Sequence, residues 1–142
     1  MISDVMMPAD ANLQGNVFGG ALLKMIDKVA GVCAHRHSER PCVTVAMDRV
    51  EFRTPVHVGD FVVMEAQVNY VGRTSMEIGV EVYAEDLNRG ERHHTNSCLV
   101  TMVAIGPEGK PCSVPPLKLE SPEEKRRSQE AQSRREKRLK EF

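Results

Sequence analysis

In three stretches between residues 43 and 84 apolar side chains recur at every second position, whereas from 20 to 35 they do not, so a helix is followed by a run of strands. After a Val58-Gly59-Asp60 turn, Val62, Met64, Ala66, Val68 and Tyr70 alternate with Val63, Glu65, Gln67, Asn69 and Val71. Past Gly72-Arg73-Thr74, the residues Met76, Ile78, Val80, Val82 and Ala84 alternate with Glu77, Gly79, Glu81 and Glu85, and the two runs predict one long hairpin. Upstream, Val43, Val45 and Met47 alternate until the phase moves to Val50 and Phe52, which predicts a strand with a bulge near Asp48. A polar turn with Asn88 and Gly90 leads into residues 93–105. There Cys98 to Ile105 is almost continuously apolar, the pattern of a strand covered on both faces. Residues 2–7, ISDVMM, read as a short first strand.

Between Gly20 and His35 the apolar residues Leu22, Leu23, Met25, Ile26, Val29, Val32 and Cys33 are scattered around the helix, which predicts burial on nearly every side. The order of strand, long helix and four strands joined by short turns predicts an α+β fold, an antiparallel sheet wrapped around one central helix. After Pro115-Pro116 the character changes. Ser121, Pro122 and Glu124 supply an N-cap, a first-turn proline and a capping box, and Glu123/Arg127 and Glu130/Arg134 stand at helical pairing distance. With almost no apolar content, this C-terminal charged helix is expected to be solvated and to lie outside the core and the active site. The expected division is a domain over residues 1–117 and a charged helical tail over 118–142.

A length of 142 residues, 41% of them hydrophobic, suits one domain with a substantial core. No apolar run approaches the roughly 18 residues of a membrane span, and the N-terminus lacks a signal pattern, so the expectation is a cytoplasmic protein with no membrane contact. Cys33, Cys42, Cys98 and Cys112 are widely spaced and the five histidines have no ligand spacing, so neither a metal nor a disulfide framework is expected. A net charge of −1 conceals eight Lys or Arg against six acids over residues 120–142 and a mildly acidic body. Interleaved acids and the absence of Trp argue against a nucleic-acid partner.

Candidate chemistry gathers in PADANLQGNVFGGALLKMIDKVAG, residues 8–31. At 100° per residue, Asp27 lies within about 60° of Gly20, Leu23, Ala30, Gly31 and Ala34, a strip of mostly small side chains that lets another group approach closely. A carboxylate there must be hydrogen-bonded, paired or used. Upstream, Asn12 and Asn16 flank a turn and Gly19-Gly20 opens the helix, where unpaired backbone N–H groups and the positive dipole end favour developing negative charge. About two helical turns, roughly 10 Å, separate that start from Asp27, leaving space for a carbonyl and its attacking group.

With VTVAMDRVEF, PVHVGD, VGRTSMEI and CLVTMVAIGPEGKPCSVP following in order, the chain resembles the hotdog-fold acyl-CoA thioesterases of the acyl-coenzyme A hydrolase branch over about residues 5–117. The resemblance implies a five- or six-stranded sheet around the helix, dimers that join their sheets, and usually a trimer of dimers. It also implies hydrolysis of acyl-CoA without a metal or redox cofactor, at sites shared between protomers. The helix acid of the family matches Asp27, expected to act as general base or nucleophile, and its loop asparagine matches Asn12, expected from the partner chain. Gly19 or Gly20 would polarise the carbonyl, and Asn16 stands where some relatives have Asp. In the VGRTS turn, Arg73, Thr74 and Ser75 suit the phosphates of CoA, with Arg49 and Arg53 as further cations. Dehydratases on this fold would want a histidine at the helix, and none lies between Asn12 and Ala34. An acyl-CoA-binding regulator on the same fold is the non-enzymatic alternative.

Overall fold

The computed structural model describes residues 1–141, the last of them by its backbone. Five strands form one antiparallel sheet: β1 (Ile2–Val5), β2 (Cys42–Phe52), β3 (Phe61–Val71), β4 (Ser75–Asp86) and β5 (Glu91–Ala104), in the spatial order β1-β3-β4-β5-β2. Between β1 and β2 runs the long helix α1 (Gly19–Ser38), and α2 (Pro122–Glu141) ends the described chain. The sheet wrapped around one helix is therefore observed. No described helix is long and apolar enough to cross a membrane.

Alternation carries the core. Met76, Ile78, Val80, Val82 and Ala84 of β4 and Cys98, Val100, Met102 and Ala104 of β5 point to one face, where they pack with Leu22, Ile26, Val29, Ala30 and Ala34 of α1. The β3–β4 hairpin pairs Val62 with Ala84 and Val68 with Ile78, in the register that the two alternating runs predict. The β2–β5 ladder slips at Asp48/Glu51, as the phase change implies, and again at Thr44/Ala46. Arg49 takes up the first slip with φ 52°, a left-handed conformation that an arginine adopts only under local constraint.

Two expectations need correction. Helix α1 is not buried on nearly every side of one chain: Lys24, Asp27, Lys28, Val32, His35 and Arg36 are exposed, and burial is confined to the stripe facing the sheet. The scatter of apolar residues misled because Leu23 and Met25 reach only partial burial and Val32 stays 45% exposed.

Nor is the tail solvated all round. Helix α2 lies on the outer face of the sheet, with Ala131 buried against it. The Ser121 hydroxyl accepts from the Glu124 N–H (3.1 Å), so the cap forms. The Glu123/Arg127 and Glu130/Arg134 pairs do not form. Arg127 donates to Gln67 on β3 (2.9 Å), while Arg134 grips Glu77 on β4 through two bonds of 2.9 and 2.6 Å. Arg138 reaches Asp48 on β2 (3.0 Å), and Arg126 takes over the acids at 123 and 130. Guanidinium groups reaching down to polar residues of the sheet hold a helix that apolar area alone would not.

Candidate active site

The loop before α1 is built around the side chain of Asn12. Its carbonyl oxygen accepts from the N–H groups of Gln14 (2.9 Å) and Asn16 (3.1 Å), while its backbone N–H donates to the Asn16 carbonyl (2.7 Å). Two backbone donors on that oxygen fix the amide orientation, so only the Asn12 NH₂ remains to meet a ligand. Gly15, with φ 82°, turns the chain inside this loop where a side chain would be strained. Asn16 is committed elsewhere: its side-chain oxygen lies 3.0 Å from Nδ1 of His57, across an antiparallel bridge between the two residues.

Helix α1 starts at Gly19. The Phe18 carbonyl accepts from Ala21 (2.9 Å) and Leu22 (3.4 Å), and no acceptor among the described residues takes the Gly19 or Gly20 N–H. Two donors at the positive end of a 20-residue helix are thus unspent. The Phe18 ring stands over Gly20, where an added Cβ would come within 2.9 Å of it.

Asp27, exposed on α1, meets β2. The Thr44 hydroxyl donates to Asp27 Oδ1 (2.5 Å) and also touches Met102 Sδ (3.3 Å). This holds one carboxylate oxygen and leaves the other open. Thr44 is absent from the sequence-derived set because a threonine between Val43 and Val45 reads as an ordinary polar position of an edge strand. Only the inward turn of that position toward α1 makes it part of the site.

The structure brings Asn12 and Gly19 together in one cleft, with Ala11, Leu13, Gln14 and Phe18. It does not bring Asp27 to them. Asp27 lines a second cleft with Gly31, Val32, Pro41 and Cys42 and the basic residues Lys28, His35 and Arg36. At 1.5 Å per residue, Gly19 and Asp27 are about 12 Å apart along the axis.

The VGRTS turn closes with Gly72 N–H donating to the Ser75 carbonyl (2.8 Å), and its Arg73 and Thr74 carbonyls accept from Val114 and Ala104. Its side chains stay outside these bonds. Arg53 is taken by Glu51 at 2.7 Å, and Arg49 lines a cleft beneath α2 instead of joining the turn. Burial, aided by Asp48, pushes the Cys98 thiol up to about 11, and burial raises Cys33 too, which makes both poor nucleophiles.

Residues 14–91 match the family model of the thioesterase superfamily. Protein VdlD of Helicobacter pylori is 40% identical over 136 residues, spanning 96% of this chain and 78% of VdlD. An acyl-CoA thioesterase solved as an apo hexamer superposes with a TM-score of 0.92 at 38% identity, over 99% of this chain and 90% of its own. An acyl-CoA hydrolase from Staphylococcus aureus, solved with butyryl coenzyme A, coenzyme A and coenzyme A disulfide, superposes at 0.89 with 32% identity, over 99% and 85% of the two chains. Structures of that enzyme also exist with an aspartate, an asparagine or a threonine changed to alanine. The chain belongs to the thioesterase superfamily, and its sheet around one long helix is the hotdog fold of these acyl-CoA thioesterases.

Proposed function

We propose that this protein is an acyl-CoA thioester hydrolase whose active site forms between two protomers. The observation that carries this reading is the division of the chemistry over two clefts. Asp27, steadied by Thr44, lines one, while Gly19, at the helix start whose first N–H groups are free, and Asn12 line the other. A second copy, setting its loop against the Asp27 cleft, joins an acid to a set of donors.

At such a site the thioester carbonyl accepts from the Gly19 or Gly20 N–H, and the Asn12 NH₂ of the partner donates to the water or the reacting oxygen. The free oxygen of Asp27 acts in one of two ways. As a base it takes a proton from water, whose oxygen attacks the carbonyl carbon; the C–S bond then breaks and the proton passes to the departing CoA sulfur. As a nucleophile it forms an acyl anhydride, expelling CoA thiolate, and water then hydrolyses the anhydride. Asn16 shapes the loop through His57, placing it beside the substrate and outside the bond-making. Arg73, Thr74 and Ser75 receive the phosphates of CoA. The chemistry lies within residues 1–117.

The edge of the sheet favours the dimer. Strand β2 has a neighbour on one side only, and Val43 and Val45 are 49% and 61% exposed, so an unpaired ladder and an apolar surface await a second copy. The hexameric thioesterase relative favours a trimer of such dimers. Support for the three residues comes from the Staphylococcus aureus enzyme, where the altered asparagine, aspartate and threonine are spaced along that chain as Asn12, Asp27 and Thr44 are here.

The test is release of free thiol from acyl-CoAs from acetyl to palmitoyl, with Asp27→Asn as comparison. That variant keeps shape and loses base and nucleophile, so kcat should fall about 100-fold or more with folding unchanged. Near-wild-type turnover by Asp27→Asn would remove Asp27 from the reaction.

A further inference from the structure

Helix α2 sets Arg135 against the sheet where, among the described residues, no acid meets it. The bonds of Arg134 to Glu77 and of Arg138 to Asp48, one helical turn apart, fix the helix on the sheet in both position and rotation. Arg135 is thereby carried to the VGRTS turn. A Cβ placed on Gly72 would lie 3.0 Å from the Ser75 hydroxyl and 3.5 Å from Arg135 Nε, so the guanidinium rests against the bare glycine beside that hydroxyl. Arg135 is half-buried, and among the described residues neither it nor Arg73 has a carboxylate partner. A guanidinium beside a hydroxyl is suited to a phosphate group.

The turn is well placed for a substrate spanning two regions. Ser75 pairs with Val103 and Val103 with Val43, the residue before Thr44, so the turn and the Asp27–Thr44 contact share one end of the sheet. Two inter-strand spacings, about 10 Å, separate them laterally. Because α2 lies on the face opposite α1, the path also rounds the end of the sheet, and the arm between a CoA thioester and its diphosphate, an extended chain with two amide groups, is longer than the lateral offset alone.

From this we infer that α2 completes the phosphate-binding turn: Arg135 is a substrate-binding residue that grips a phosphate of CoA together with the VGRTS turn. The inference rests on the acyl-CoA reading above, and it gives the tail a place at the substrate that its composition does not suggest.

The experiment compares Arg135→Gln with wild type on acyl-CoA and on the acyl thioester of N-acetylcysteamine, which has the thioester and no phosphate. Loss of a charge-assisted bond to phosphate should raise KM for acyl-CoA about ten-fold, with kcat within two-fold. Hydrolysis of the truncated thioester should be unchanged, and Arg135→Lys should recover part of the loss. Affinity for CoA itself, measured by calorimetry, should weaken by a similar factor while pantetheine shows no difference between the two proteins. That measurement tests Arg135 even in a protein that turned nothing over, so failure of the hydrolase reading and failure of this one are separable. Equal CoA affinity in wild type and Arg135→Gln, or an equal loss on both substrates, overturns the inference.

Discussion

The two helices lie on opposite faces of one sheet and are held by different forces. Helix α1 buries Leu22, Ile26, Val29, Ala30 and Ala34 against the apolar face, so its position follows from area removed from water. Helix α2 buries Ala131, and its position follows from Arg127, Arg134 and Arg138 reaching Gln67, Glu77 and Asp48. Area is non-directional, whereas a bidentate guanidinium fixes rotation as well as place. That difference suits the roles assigned to the two helices. In the proposed site the first carries Asp27 and the second presents Arg135 in one orientation.

Each helix can be weakened in its own terms. Ile26 is fully buried, and Ile26→Ala should cost about 2–5 kcal/mol, enough to lower the denaturant midpoint of the whole domain and the activity with it. A global transition that hardly moved would show that α1 is not the core element described here. Arg134→Gln should act more gently and more locally. Glu77 is 6% exposed, and without Arg134 it keeps only the Asn69 amide (3.0 Å), a loss of about 2 kcal/mol. The expected result is faster tryptic cleavage within residues 122–141 with little change in the unfolding of the rest, and a further rise in cleavage as salt screens the remaining pair of Arg138 and Asp48. A global destabilisation equal to that of Ile26→Ala would mean that α2 is an integral part of the core.

How much of this was legible in the sequence follows from the same division. The β3–β4 hairpin and the bulge near Asp48 are visible because a strand with one apolar face has period two, and an inserted residue shifts the phase. Asp27 and Gly19-Gly20 are visible because a lone acid stands out in a helix whose other charged residues are basic, and a glycine pair marks its start. Thr44 is not, since nothing local marks which face of an edge strand turns toward a helix. The docking of α2 is hidden for a similar reason. Its anchors join residues as far apart as Asp48 and Arg138, and polar contacts over such separations leave no periodic trace. Val32 reads as core in the sequence because periodicity reports apolarity, and a single chain leaves that position open.

The proposed shared site takes Asp27 and Thr44 from one chain and Asn12 from the other. It is tested most directly by mixing two inactive proteins, Asn12→Ala and Asp27→Asn, under conditions in which subunit exchange is verified by mass. Each hybrid dimer carries one unmutated site and one doubly altered site, so activity should return to about a quarter of the wild-type rate in an equal mixture. Verified exchange with no recovered thiol release would rule out the shared site and place both residues in the service of a single chain.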